Sequence, residues 1–373
     1  MATRFILLAS ALFVGGLLCP PHRLAAQDDA PEDAAREGPE GGVVLTIGGV
    51  GIGVGDVPRL NGLRLNFRDR DLRLVNGVNA TIWSPHRPAR GAVNGLALGL
   101  PVTGARRITG VGLGLGVGAD EEFQGLAIAP LGAGAGGNMT GVLLGGLGVG
   151  TGGEVTGVAL GGLGVGTGGR ARGIIAGGLG AGAGGGVAGV ALGGLGVGSG
   201  GSLSGVALGG LGVGAGESVD GVAIGGLGVA AGGAIRGLAI GGLGVGAGGG
   251  VTGVSIGGLG VGAGGEVKWL NIGGIGVAAP KITGLTLAGV GVGSEDVAGV
   301  TIAPLYFRVE PGGTMRGVSV SAFNRIGGAQ HGLAIGILNI TEELDGLQLG
   351  LINIARNKPS FRVLPFANYH RVR

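Results

Sequence analysis

An all-β glycine-rich repeat protein, a parallel β-solenoid of 15–16-residue coils, is the fold this sequence predicts, on three observations. A sixteen-residue unit recurs eight times between Gly141 and Lys268, starting at Gly141, Gly157, Gly173, Gly189, Gly205, Gly221, Gly237 and Gly253. Glycine fills 99 of 373 positions. At about every second residue of the array it costs roughly 1 kcal/mol apiece relative to alanine in a helix, which excludes helix. Within each unit the bulky aliphatics come in pairs spaced by two, the period of a strand. A fixed period of this length marks units that cannot bury an apolar face alone and must stack on their neighbours.

The unit from Gly157 to Arg172 sets out what a coil requires. Val158 and Leu160 form one pair and Leu163 and Val165 the next, so the step of three between them shifts the phase at Gly161 and Gly162. A straight strand would divide the four between opposite faces. A corner at the glycine pair turns all four inward, and glycine suits a corner because no Cβ obstructs the backbone angles. Thr167 to Arg172 forms a third side or loop. Successive coils then stack as parallel strands about 4.8 Å apart, valine on valine and glycine on glycine. Charge enters the array only near the end of each unit, at Glu154, Arg170, Arg172, Glu217, Asp220, Arg236, Glu266 and Lys268, and so marks one edge.

The alternative is an antiparallel outer-membrane β-barrel with one strand per repeat, porin-like or structural. A charge-free run of about a dozen residues matches a spanning strand, and sixteen residues fit a strand plus a turn. Against it, the phase slip leaves both faces of a straight strand partly apolar, and glycine and alanine face lipid poorly. The array has no aromatic girdle. Barrel closure would also fix the strand number that near-identical tandem copies leave free to vary.

Taken in order, residues 1–27 have Arg4, an apolar run from Phe5 to Leu18, then Pro20, Pro21 and Ala25-Ala26-Gln27, the layout of a secretory signal peptide. Cys19, the single cysteine, falls inside it behind Leu18, where a lipoprotein cleavage site would want a small residue. Removal of Arg4 and Arg23 leaves 23 basic against 22 acidic residues, a formal charge of +1 in place of +3, which points to no particular partner. Residues 28–41 are rich in Asp, Glu, Pro and Ala and read as a disordered acidic linker. Residues 42–124 carry the repeat in a more polar form. In Asn61 to Phe67, Leu63, Leu65 and Phe67 alternate with Arg64, Asn66 and Arg68, which predicts a hydrophilic outward face, and Asn76 to Trp83 repeats the pattern. Restarts at Gly95, Gly110 and Gly125 lead into the strict repeats of 125–268. Degenerate repeats fill 269–345, with restarts at Gly284, Gly299, Gly317 and Gly332. In 346–373, Phe361, Phe366, Tyr369, Pro359 and Pro365 predict a cap that stops further strand addition, followed by a basic tail of Arg356, Lys358, Arg362, Arg371 and Arg373.

Gly332-Leu-Ala-Ile-Gly-Ile-Leu-Asn339 and Gly346-Leu-Gln-Leu-Gly-Leu-Ile-Asn353, followed by Leu364-Pro-Phe-Ala-Asn368, resemble the Gly-Leu-x-Ile-Gly-Leu-x-Asn repeats of poorly characterised bacterial surface-repeat proteins. The resemblance covers the chain from about Asn61. It implies export to the surface of a double-membraned bacterium and brings no known activity. The central copies carry Gly164 where that pattern has asparagine.

Motifs that would carry chemistry fail on their context. Gly-x-Gly-x-x-Gly matches arise from composition, and none sits in a strand-loop-helix unit with a downstream acid. Calcium-binding repeats need an aspartate in each turn, where this chain has Gly, Ala or Val. Gly253-Val-Ser255-Ile-Gly257 has the spacing of a nucleophile elbow, but sister copies carry Ala159, Ala191 and Ala207 there, and Ser255 reads as a small outward residue. His86, His331 and His370 stand apart, without metal-ligand spacing or an evident acid partner. Asp120, Glu121 and Glu122 form one acidic knot and Glu342, Glu343 and Asp345 another, each expected as a solvated loop. The basic residues form no stripe interleaved with aromatics, which argues against nucleic acid. The expectation is an exported, cell-surface or outer-membrane-associated structural protein. It is a scaffold or contact surface with no catalytic, cofactor or metal residues. Its partners are left to the cell envelope or other surface proteins, membrane association included.

Overall fold

Two strands and two turns make each coil of the strict array. In the unit around Gly157, a long strand Val155–Gly161 turns at Gly162 and Leu163 into a short strand Gly164–Thr167. Gly168 and Gly169 then lead into the next long strand, Arg170–Gly177. The computed structural model describes residues 41–85 and 88–372. The expected signal peptide, the acidic linker up to residue 40 and His86 lie outside the described residues, and Gly41 already belongs to the first strand, Gly41–Ile47.

Stacking is parallel and in register. Long strands pair with long strands, Val158 against Val142 and Ile174, and short strands with short strands, Val165 against Val149 and Ala181. About 18 coils at roughly sixteen-residue spacing form the solenoid that the period predicts. Neighbouring repeats run in the same direction, which overturns the antiparallel barrel. Antiparallel pairing closes the two ends: Gly41–Ile47 folds back on Val50–Asp56, and Val363–His370 lies along Leu338–Ala355.

The restart glycines form one column along the long strands. From Gly62 to Gly332 they hold φ between 106° and 135°, a region closed to most side chains. A Cβ at Gly157 would also collide with the Gly141 carbonyl oxygen of the preceding coil. Trp269 interrupts this column, at φ 81°, with its ring exposed.

Side-chain direction departs from expectation at three of the four aliphatics. Val165 is in the core, but Leu160 and Leu163 are 40% and 52% exposed, and Val158 shares the outer face with Leu160. The core takes Val155, Ala159 and Val165 instead, with Thr167 at its edge. Room decides it. Beside the corner the two strands of a coil approach so closely that a Cβ on Gly161 would strike the Gly164 carbonyl, and no leucine fits there. Leu163 belongs to the turn and not to a strand, so the period of two does not govern it. Full burial of a valine is worth roughly 1.5–3 kcal/mol, and the Val155 and Val165 columns repeat that gain along the array.

The interior becomes polar toward both ends. Arg64 is fully buried, while Leu65 and Phe67 are exposed, the reverse of the hydrophilic outer face expected there. All three of the Arg64 guanidinium nitrogens donate hydrogen bonds. Nε donates to the Val57 carbonyl at 2.8 Å, Nη2 to Asp56 at 2.8 Å, and Nη1 to Asn79 at 3.0 Å and to Asp69. Asp69 also accepts from Asn66, Asn79 and Thr81, so the buried charges are paired and hydrogen-bonded.

At the other end, Asn324, Asn339 and Asn353 form an internal ladder, each amide donating to the next at 2.7 Å. Asn324 and Asn339 stand in the column of Phe307 and Val292, which continues to Val165. Counting from the column glycine placed the asparagine opposite Gly164. The corners after Val320 and Ile335 are one residue shorter than that after Leu160, which moves it into the valine column. The Asn324 amide bonds the Ser321 and Ile335 carbonyls of these shortened corners.

Candidate functional site

The outer surface of the long strands and the adjoining corner carries three aliphatic columns. One continues Val158 as Ile174, Val190 and Val206. The second continues Leu160 as Ala176, Leu192 and Leu208. The third stands on the corner, where Leu147, Leu163, Leu179 and Leu195 are each about half exposed. Their backbones are joined coil to coil, Leu163 N–H to the Leu147 carbonyl and Leu179 N–H to that of Leu163, both at 2.7 Å. The columns therefore rise as straight ridges at the strand spacing, about 4.8 Å per side chain.

Beside the Leu160 ridge, toward the corner, lies a groove floored by glycine pairs. It runs from Ile128 and Pro130 through Leu144, Leu160, Ala176, Leu192 and Leu208 to Ile224, with a volume of about 1080 Å³. The floor needs glycine, since a Cβ on Gly162 would meet the Gly146 carbonyl oxygen. A smaller groove of about 410 Å³ follows the same line near the far end, among Ile302, Pro304, Val320, Ile335 and Ile337. Neither has a charged side chain in its lining.

Charge sits along the border of this face, where opposite signs stack on successive coils. Arg172 meets Glu154 at 2.9 Å, Arg236 meets Asp220 at 3.0 Å, and Lys281 meets Glu266 at 3.4 Å, with Lys268 of the same strand on Glu266 at 2.9 Å. The side-chain hydrogen bonds from Arg236 and Ser218 hold the Asp220 carboxyl below its ordinary range, and Lys268 does the same for Glu266. Exposed pairs of this kind are each worth little, roughly 0–1 kcal/mol.

The residues weighed for chemistry fall into these ladders or into the core. Ser255 is not an outward residue. It is fully buried and donates to Asn271 Oδ1 at 2.7 Å. Glu121 pairs with Arg106 and Arg107 at 2.6 and 3.0 Å, which lowers its pKa. Glu122 accepts from Gln124, Asp120 from the Ala89 N–H, and Glu342 pairs with Arg356. His331 does have an acid partner, Asp345, at 3.0 Å. They face one another on adjacent strands, fourteen residues apart in sequence, a pairing that only the coil register reveals. The bond from His331, aided by the Val372 N–H, lowers the Asp345 pKa. This dyad lines neither groove. Among the described residues no three His, Cys, Asp or Glu side chains gather as a metal site.

The aliphatic face was legible by parity. Arg172 and Asp220 must reach water, and on an alternating strand they share a side with Ile174 and Ala176, and with Val222 and Ile224. Compared with protein-family models, with curated proteins and with solved structures, the chain matches none.

Proposed function

We propose that this chain is an exported structural repeat protein that acts by contact and not by catalysis, with the aliphatic face as its working surface. The observation that carries the reading is the face itself: a half-exposed corner ridge and two part-exposed aliphatic columns beside a glycine-floored groove, with charge held to the border. Soluble monomers rarely expose contiguous apolar patches beyond a few hundred Å², and larger ones mark interaction sites. A stack of coils joined by backbone hydrogen bonds presents the columns in fixed register, which favours scaffolding over an induced fit. Export rests on the apolar opening segment and on the resemblance of the repeats around Gly332 and Gly346 to bacterial surface repeats.

Retention of the folded chain on an octyl-derivatised matrix tests the surface. Leu163→Lys, Leu195→Lys and Leu227→Lys together place three charges on the corner ridge, where each leucine is 43–52% exposed and supports no core packing. Loss of retention with an unchanged circular dichroism spectrum is the expected result. Equal retention of the folded variant would remove this face as the contact surface.

A further inference from the structure

We propose that the occupant of the aliphatic face is a second copy of this chain, docked face to face about a two-fold axis so that each copy's corner ridge lies in the other's glycine groove. The inference rests on the contact-surface reading and deepens it.

Area is the first argument. From Leu131 to Leu305 the corner ridge crosses twelve coils, about 53 Å at strand spacing. From the Val158 column to the Leu163 column is about 15 Å. The face therefore offers on the order of 800 Å² a side, or about 1,600 Å² for the pair, the size of a stable specific interface.

Shape is the second. A ridge of leucines on the corner and a glycine-floored groove lie side by side on the same surface, so the surface is complementary to itself under a two-fold rotation, as an isologous interface requires. Both copies carry the same spacing between side chains, so the ridge can interdigitate along the groove from Ile128 to Ile224, as in the dry zippers between paired sheets.

Chemistry is the third. A lipid surface would be met by Trp, Tyr, Lys and Arg at the contact, whereas the groove lining consists of Ile, Leu, Ala, Pro and Gly. The charged border, with Arg172, Asp220 and Arg236, becomes the polar rim of such an interface.

Sedimentation equilibrium of the purified chain decides it. Twice the chain mass is expected at micromolar concentration, falling to the single mass in the Leu163→Lys, Leu195→Lys, Leu227→Lys variant. The melting temperature of the unmodified chain is expected to rise with its concentration, as mass action demands of a dimer, and this readout does not depend on the variant folding. A folded chain that stays monomeric over that range, with a melting temperature independent of concentration, overturns the proposal. If that monomer is still retained on the octyl matrix through these leucines, or binds neutral phosphatidylcholine vesicles, the contact face stands and only the second copy falls. If the chain is dimeric and the folded lysine variant stays dimeric, the interface is elsewhere and the proposal fails.

Discussion

Thr286 and Thr301 carry hydroxyls that are buried in the core without a protein partner. They stand in the column that reads Ala207, Ala223 and Ala239 further back and changes at Ser255 and Asn271. A buried hydroxyl without a hydrogen bond costs about 1–3 kcal/mol, whereas a methyl of the same shape costs nothing there. Thr286→Val and Thr301→Val are therefore each expected to raise the unfolding free energy by about 1 kcal/mol, read from the urea midpoint at unchanged slope. A lowered midpoint would mean that both hydroxyls bond enclosed water and that the column is hydrated. The same residues show where reading the sequence stops. Copies starting at Gly157, Gly189 and Gly205 carry alanine in this column, which suggested a small outward side chain at Ser255. Yet alanine is as much the mark of a crowded interior, which the approach of the two strands at Gly161 creates and which the parity of Arg236, one coil back, already assigns to this column.

At the scale of the strand and corner, what the sequence made legible follows from period and glycine. The sixteen-residue repeat gives the coil, and Gly161-Gly162 gives the corner between Val155–Gly161 and Gly164–Thr167. The side on which each aliphatic falls was misjudged because size was taken as the guide to burial, while the charged border at Arg172 and Asp220 already fixed the outward parity. That border has a pH dependence with a definite sign. Glu121, Asp220, Glu266, Asp296 and Asp345 all have pKa values lowered in the folded chain, by Arg106, Arg236, Lys268, Thr314 and His331 respectively. A depressed carboxylate contributes stability that is complete above its unfolded value, about 4, and is lost as pH falls through its folded value. Thermal melts are expected to be level from pH 7 to about 5 and to decline below about pH 4. The decline is shallow, since exposed pairs contribute little each. A melting temperature that rises below pH 4 would contradict these directions.

For the whole molecule, each coil contacts its neighbours through the same columns, so length is a free variable so long as the phase is kept. Ala188 precedes Gly189, and Gly237 stands in the same glycine column three coils on. Deleting 189–236 joins Ala188 to Gly237 and sets Gly237, Leu238, Ala239 and Ile240 where Gly189, Val190, Ala191 and Leu192 had been. In the core Val245 meets Ala181, as Val197 had, and Val187 meets Val251 in place of Leu203, and the groove closes over the gap with its ridges continuous. Three of about 18 coils are removed, so the denaturant slope, which scales with the surface exposed on unfolding, is expected to fall by about one sixth. Deleting 189–228 takes away two and a half units. It joins Ala188 to Val229, so a residue of the short strand enters the long one and a β-branched side chain, strongly disfavoured at positive φ, takes the place of the column glycine. That shorter deletion is expected to yield no cooperative unfolding transition, although it removes fewer residues than the one that folds. If both variants fold alike, or neither does, the columns do not set the register, and the straight ridges from which the contact face is built lose their physical basis.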